Sequence, residues 1–327
     1  MKRRSFLQAS GFTLTAFFVS RTIVARELLH GFWLKIANPS VVKDARPIPA
    51  FTPFTPPRSE GMRFLILGDW GTGGREQADV ARAMARTATQ SGCDYVISVG
   101  DNIYPSGVSS AADEQWKRKF VDVYYGQGLR QPFFPTLGNH DYKLEPDAQI
   151  AYSRVNEQWR FPARYYTQKL TAKDGTTVQI FSLDTQLVDR SVAGAAAEQR
   201  AWLDSELGKS TARWKIVFGH HMLYSNGVYG NLKPLRAAFE DILVKHKVPL
   251  YMCGHDHDIQ LLKPVNGVSY LISGGGGGHR DTSWRDNTIY AATNMGYVWM
   301  VVTRDGIHVH FHDADGALKY AHKVISA

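Results

Sequence analysis

The sequence predicts an α/β fold built on parallel strands, and two observations carry that prediction. Five apolar runs of strand length, 63–67, 95–99, 133–137, 215–218 and 249–253, each lead into a glycine followed by polar residues. Parallel strands are buried on both faces and therefore read as continuous apolar runs. Between the runs, 76–89, 198–207 and 235–245 read as helices, so strands and helices alternate. In such folds ligands bind beyond the carboxyl ends of the strands. Five strand ends in one sheet region would bring their polar residues into one cleft. The glycine at each end, lacking a Cβ, is expected to permit a sharp turn there.

A chain of 327 residues can form one large α/β domain or two small ones. Apolar residues at 44% and charged residues at 21% are ordinary for a globular protein, which excludes a fibrous or disordered chain. Four charges of the formal +8 (Lys2, Arg3, Arg4 and Arg21) sit in the first 25 residues, leaving +4 for the rest. A mild positive balance favours anionic substrates. No dense Lys/Arg run follows residue 25, so a dedicated nucleic-acid binder is not expected. The two cysteines, Cys93 and Cys253, precede one strand and follow another. In a single parallel sheet they would lie at opposite ends, too far apart for a disulfide, and two free buried thiols are expected.

Residues 1–25 read as a signal peptide: a basic head, an apolar stretch over 9–20, then small residues near Val24 and Ala25. The stretch is shorter than the ~20 apolar residues of a membrane span. Arg3-Arg4 followed by Phe6-Leu7 resembles a twin-arginine export signal. That system exports folded proteins, which suits an enzyme loaded with metal beforehand, and predicts a periplasmic or secreted location in a bacterium. Residues 26–60 are read as an N-terminal arm whose proline-rich part, 47–57, is an extended linker, and 61–327 as the catalytic domain.

The five motifs are Gly68-Asp69-Trp70-Gly71, Gly100-Asp101-Asn102-Ile103-Tyr104, Gly138-Asn139-His140-Asp141, Gly219-His220-His221 and Gly254-His255-Asp256-His257. Singly, each is an ordinary turn. Together they supply carboxylates from Asp69 and Asp101, a phenol from Tyr104, an amide oxygen from Asn139, and imidazoles from His220, His255 and His257. Seven O and N donors exceed the need of one tetrahedral zinc and fit two ions of higher coordination with places left for water and substrate. Asp101 is the natural bridging carboxylate. The offset of three residues between Asp101 and Tyr104 is compatible with one side of a helical turn. A phenol with pKa ~10 suits a trivalent ion, most plausibly iron, better than a divalent one. Adjacent strand residues point oppositely, so His221 is read as packing or supporting rather than ligating.

This ordered set resembles the calcineurin-like metallophosphoesterases, and Tyr104 narrows the resemblance to the purple acid phosphatases of the small tartrate-resistant type. It spans about 62–278, including Gln149-Ile150-Ala151-Tyr152-Ser153 and Gly254-His255-Asp256-His257-Asp258-Ile259-Gln260. The resemblance implies a four-layer αββα sandwich. It implies that Asp69, Tyr104 and His257 bind Fe(III), that Asn139, His220 and His255 bind a divalent Fe, Zn or Mn, and that Asp101 bridges them. His140 would contact the phosphate and protonate the leaving group, with Asp141 orienting His140. The implied activity is hydrolysis of phosphate monoesters at acidic pH by a metal-activated hydroxide, with a phosphodiesterase or nucleotide phosphatase as the alternative on the same site. A non-catalytic binding protein would be expected to have lost ligands, and all seven are present. A small phosphate ester is the expected partner, and the chain is expected to act as a monomer.

Three departures from the family pattern stand out. Residues 222–230 hold Tyr224 and Tyr229 but no histidine, so a second catalytic imidazole is not supplied there. The segment 186–197 is short, which argues against proteolytic activation. The second cysteine of the animal enzymes' disulfide is missing. Elsewhere, His308, His310 and His312 alternate as on one strand face and are read as a polar sheet face. The run 274–278 of five glycines lacks the Gly-Lys-Ser/Thr of a nucleotide loop and is read as a flexible rim, with His279 near substrate. The eight tryptophans are read as scattered anchors.

Overall fold

The computed structural model describes residues 46–324, so the leader and the first part of the arm lie outside the described residues. In chain order the first strands are β1 (Met62–Leu67), β2 (Tyr95–Ser98), β3 (Phe133–Pro135), β4 (Tyr166–Thr171), β5 (Thr177–Ser182), β6 (Trp214–Phe218) and β7 (Leu250–Cys253). There follow β8 (Ile259–Val265), β9 (Val268–Ser273), β10 (Thr288–Ala292), β11 (Gly296–Thr303), β12 (Gly306–Asp313) and β13 (Leu318–Val324). The principal helices are α1 (Arg75–Ser91), α2 (Pro146–Tyr152), α3 (Thr185–Asp189), α4 (Ala195–Lys209) and α5 (Lys233–Lys245).

The strands form two sheets, not one. The first has the order β13-β12-β11-β1-β2-β3 and the second β10-β8-β9-β7-β6-β5-β4. Strands β1, β2 and β3 run parallel, as do β5, β6, β7 and β9, with antiparallel strands completing each sheet. The five motifs therefore divide three and two. The first three follow adjacent parallel strands of one sheet, and the last two follow β6 and β7 of the other.

Side-chain alternation explains why the two sheets face each other. In the second sheet, Ile180, Ile216, Phe218, Leu250, Met252 and Leu271 join the same buried cluster as Phe64, Ile66 and Val298 of the first. Their neighbours Phe181, Val217, Tyr251, Tyr270 and Ile272 point the other way and pack with Leu203, Phe239 and Leu243 of α4 and α5. The period of two along each strand puts one face inward and one against helices. On the far side of the first sheet, α1 buries Val80, Ala81 and Met84. The layers are thus helix, sheet, sheet, helix. Each such apolar side chain contributes roughly 1.5–3 kcal/mol by leaving water.

Several sequence expectations are refined here. Cys93 and Cys253 are free, but Cys93 precedes a strand of the first sheet while Cys253 ends a strand of the second, and Cys93 is only partly buried. The described part of the arm is docked on the domain: Phe54 stacks on His308 at 4.0 Å, Phe51 meets Tyr320 edge-on at 5.4 Å, and Arg63 donates to the carbonyls of Pro56 and Pro57. Aromatic side chains give an otherwise extended segment enough apolar area to dock. The histidine face of β12 is accordingly covered, with the Phe54 N–H donating to His310 Nε2 at 3.2 Å. Nor are all the tryptophans scattered. Trp70, Trp116 and Trp159 share one aromatic cluster with Phe120 and Phe133, and Trp70 Nε1 donates to Ser98 Oγ at 2.8 Å, anchoring the loop that carries Asp69.

Candidate metal centre

The predicted helices are present with longer bounds, and the predicted strand ends carry their ligands into one cleft. The reason for the glycines differs from the expected one. Of the five that open the motifs, only Gly100 has a left-handed backbone (φ 92°). The others are required by close approach. A Cβ on Gly68 would lie 2.6 Å from Val99 Cγ2, one on Gly219 would lie 2.5 Å from Thr185 Cγ2, and Cβ atoms on Gly138 and Gly254 would strike the carboxylates of Asp101 and Asp69. Strained backbone falls instead on the candidate ligands themselves: Asp69 (φ 59°), Asp101 (φ 50°) and His255 (φ 67°) are left-handed without being glycine. Such conformations cost roughly 1–3 kcal/mol each and persist where the surroundings over-determine them, typically at functional sites.

Seven donor residues form two triads and a link. In the first, Tyr104 Oη lies 3.1 Å from Asp69 Oδ1 and 3.1 Å from His257 Nε2, and the last two are 3.3 Å apart. In the second, His220 Nε2 lies 3.2 Å from Asn139 Oδ1 and 3.2 Å from His255 Nδ1. Asp101 reaches both: Oδ2 accepts from Tyr104 Oη at 2.8 Å, and Oδ1 is 3.6 Å from His220 Nε2. Donors held at ~2.0–2.2 Å from an ion sit about 3 Å from one another in the coordination shell. The spacing therefore fits two neighbouring ions sharing one carboxylate. His220 Nδ1 donates to the Val99 carbonyl at 2.9 Å, which leaves the Nε2 lone pair facing the cleft. The Asp101–Tyr104 pair meets through a turn rather than a helix.

The histidine beside His220 is excluded by its hydrogen bonding. Thr185 Oγ1 accepts the backbone N–H groups of both His220 (3.1 Å) and His221 (3.0 Å) and lies 2.9 Å from His221 Nδ1. With both lone pairs used, the hydroxyl proton goes to Nδ1 and the neutral ring carries its own proton on Nε2. Although His221 is close to His220 and His255, neither of its nitrogens then offers a lone pair. Thr185 was not visible in the sequence because the strand before it, β5, ends without a glycine.

His140 lies beside the triads, its ring 4.4 Å from that of Tyr104 and its Nε2 4.0 Å from Asp101 Oδ2. The expected orienting role of Asp141 is overturned. His140 Nδ1 donates to the carbonyl of Pro105 at 2.7 Å. Asp141 is fully buried and accepts instead from Gly138 N (2.8 Å), Asn102 N (3.0 Å) and Gln149 Nε2 (2.7 Å). One residue along a tight turn points its side chain away from the cleft. Asp141 joins the second motif loop, the third motif loop and α2.

Burial and proximity of like charges dominate the titration of this cluster. Burial, with Asp101 nearby, pushes the carboxyl of Asp69 up to about 8 and that of Asp141 up to about 7. Burial drives His257 down to about 4 and His221 and His255 well below the usual imidazole value. Both carboxylates thus bind more protons folded than unfolded between their ordinary value and these raised values. The penalty is absent at low pH and grows as pH rises through that window. The lowered histidines act oppositely, but only below about 6.5, where the unfolded chain still binds their protons. Chelated protein is therefore expected to lose thermal stability from pH 6.5 to 8, and restored metal should cancel the slope. A flat or rising melting temperature over that range in chelator would contradict it.

The glycine run is not a flexible rim. Gly276 donates to the Gly68 carbonyl at 3.0 Å, and a Cβ on Gly274, Gly276 or Gly277 would meet the backbone of Asp256, Gly68 or Trp70. The run packs two motif loops together. His279 after it is exposed, whereas Arg280 turns back, its N–H donating to the His257 carbonyl at 2.6 Å and its Nη1 to Tyr229 Oη at 2.8 Å.

Comparison with known proteins agrees with this geometry. Residues 62–258 match the model of the calcineurin-like phosphoesterases, and the chain belongs to that family. Within it, the chain belongs with the purple acid phosphatases. It is 35% identical over 251 residues to tartrate-resistant acid phosphatase type 5 of Rattus norvegicus, covering 70% of this chain and 76% of that one. It is 30% identical over 284 residues to purple acid phosphatase 4 of Arabidopsis thaliana, covering 80% and 83%. Among solved structures, GAP50 of Plasmodium shares the fold with TM-score 0.73 at 22% identity over 82% of this chain and 90% of that one. A purple acid phosphatase from yellow lupin seeds aligns with TM-score 0.64 at 17% identity, over 81% and 54%.

Proposed function

We propose that the chain is an exported acid phosphatase hydrolysing small phosphate monoesters at a centre of Fe(III) and a divalent Fe, Zn or Mn. The observation that carries this is the pair of donor triads joined by one carboxylate. Asp69, Tyr104 and His257 are the set suited to the ferric ion, because a phenolate needs a strongly acidic partner to form. Burial and the charges of Asp101 and Asp69 raise the phenol of Tyr104 well above its ordinary value, so only a highly charged ion would keep it ionised. Asn139, His220 and His255 are the set for the divalent ion, and Asp101 serves both. When bound, the ions supply Lewis acidity, neutralising phosphate charge and making a water acidic enough to attack.

The chain's own residues do the rest. The backbone N–H of His140 donates to Asp101 Oδ1 at 2.8 Å, tying the proton donor to the bridging carboxylate. The Pro105 carbonyl fixes the Nδ1 proton of His140 and leaves Nε2 to deliver a proton to the leaving oxygen. Burial lowers the His140 imidazole from its ordinary value, so the protonated donor accumulates only on the acid side. This supports an acidic optimum. Export rests on the Arg3-Arg4 leader, whose residues lie outside the described structure. No helix among the described residues is long and apolar enough to cross a membrane.

Metal analysis with a visible spectrum on protein recovered from the periplasm tests the reading. Two metals per chain and a tyrosinate-to-iron band are expected. An apo protein, or one confined to the cytoplasm, would count against the centre or the export respectively. Tyr104→Phe should abolish the band while leaving the thermal melt of the chelated protein within about 1 kcal/mol, since a single hydrogen-bonding hydroxyl is lost. A persisting band would show that Tyr104 is not a ligand.

A further inference from the structure

The segment that lacks the second imidazole places Tyr229 against the second triad. Its ring stacks on His255 with centroids 4.3 Å apart and planes 24° from parallel, and its backbone N–H donates to Asp256 Oδ1 at 3.1 Å. The phenol oxygen accepts from Arg280, whose guanidinium lies 5.2 Å from the Tyr229 ring centre. Arg280 in turn hangs from the His257 carbonyl of the first triad. The loops carrying the two residues are tied together by the Gly227–Thr282 bridge and the bond from Ser283 N to Asn226 O at 3.2 Å. The pair is therefore fixed to one ligand of each triad, Tyr229 to His255 and Arg280 to His257.

One feature marks this arginine as a substrate contact. It is a largely buried cation that forms no ion pair among the described residues; its charge is felt at a distance by Asp69 and Asp256. A buried guanidinium without a carboxylate partner keeps most of its five donors available for an anion.

We propose that Arg280, buttressed by Tyr229, binds a non-bridging oxygen of the substrate phosphate and favours monoester dianions over diester monoanions. This rests on the phosphatase reading above. A dianion concentrates more charge on its terminal oxygens than a diester does, and charge-assisted hydrogen bonds from a guanidinium reward that difference.

The test uses the metal-loaded protein with p-nitrophenyl phosphate, its bis ester, and inorganic phosphate as a calorimetric ligand. Arg280→Ala should weaken phosphate binding roughly 10- to 100-fold, the worth of a hydrogen bond between charged groups. It should raise KM for the monoester more than it lowers kcat, and lower the monoester-to-diester ratio of kcat/KM. Arg280→Lys should recover part of each loss, Tyr229→Phe should shift all three in the same direction by less, and Arg285→Ala, an exposed arginine, should change none. Metal content and the visible band are to be read in every variant. Unchanged phosphate affinity and ester ratio in Arg280→Ala with both metals retained would overturn the proposal, as would losses explained wholly by missing metal. A wild-type protein that takes up metal but hydrolyses neither ester would overturn the phosphatase reading itself, a result distinct from either of these.

Discussion

Asp101→Ala is expected to abolish paired metal binding and to lower phosphatase activity roughly a thousandfold or more, since metal charge stabilisation is worth several kcal/mol. The geometry concentrates this loss on one residue. Oδ2 meets Tyr104 of the first triad, Oδ1 faces His220 of the second, and the same Oδ1 accepts the backbone N–H of His140. One truncation removes the shared ligand and loosens the proton donor. Two opposed effects set the stability in chelator. Burial works against the Asp101 charge, but His220, His140 and the Tyr104 hydroxyl outweigh it and hold this carboxyl below its usual value. Its negative charge is a cause of the raised values of Asp69 and Asp141. Removing it eases both but forfeits the contacts that hold Asp101 low, so chelated Asp101→Ala should melt modestly lower than chelated wild type, and by less as pH rises above 6.5. Retention of two metals per chain with near wild-type turnover would sink the assignment. A large fall in the chelated melting temperature would instead show that Asp101 serves mainly to hold the fold.

The ligands were legible before the fold was. Strand-length apolar runs followed by donor residues are local in sequence, and the structure brings all seven donors together as two triads and a link. That the strands belong to two facing sheets was not legible, because a run such as 215–218 reads the same in either sheet; only pairing decides it. The glycines were correctly singled out for a partly mistaken reason. Close approach between Gly138 and Asp101, or Gly254 and Asp69, depends on residues far away in sequence. The role that the resemblance implied for Asp141 was not met, because its partners Asn102 and Gln149 lie on other segments. Arg280 was passed over because a lone arginine after a glycine run carries no pattern; its meaning comes from Tyr229, some fifty positions earlier, and from His257. What sequence lacked throughout was the pairing of distant segments, which is also what sets the strained backbone at Asp69, Asp101 and His255.

That dependence on close packing makes Gly138→Ala the sharpest test of the site as a preorganised object, because it touches no donor atom. A Cβ there would overlap the Asp101 carboxylate and its backbone nitrogen. The carboxylate cannot simply swing aside, since it is held by Tyr104 and His140, and the backbone nitrogen can move only with the whole second motif loop. Overpacking of this kind costs roughly 1–3 kcal/mol. A shift of about 1 Å in a positioned group costs about a hundredfold in rate. Gly138→Ala is therefore expected to lower activity on the order of a hundredfold and to lose metal preferentially over fold. Gly126→Ala, where nothing lies within 4 Å of the added carbon, is the matched control and should be neutral to within about 0.5 kcal/mol. Activity assays, metal content and melts of both variants separate the alternatives. If Gly138→Ala kept full activity, the bridging carboxylate would have room to move and the preorganised geometry derived above would be wrong. If it lost activity while keeping both metals, the damage would lie in His140, whose backbone is tied to the same carboxylate, rather than in the metal positions.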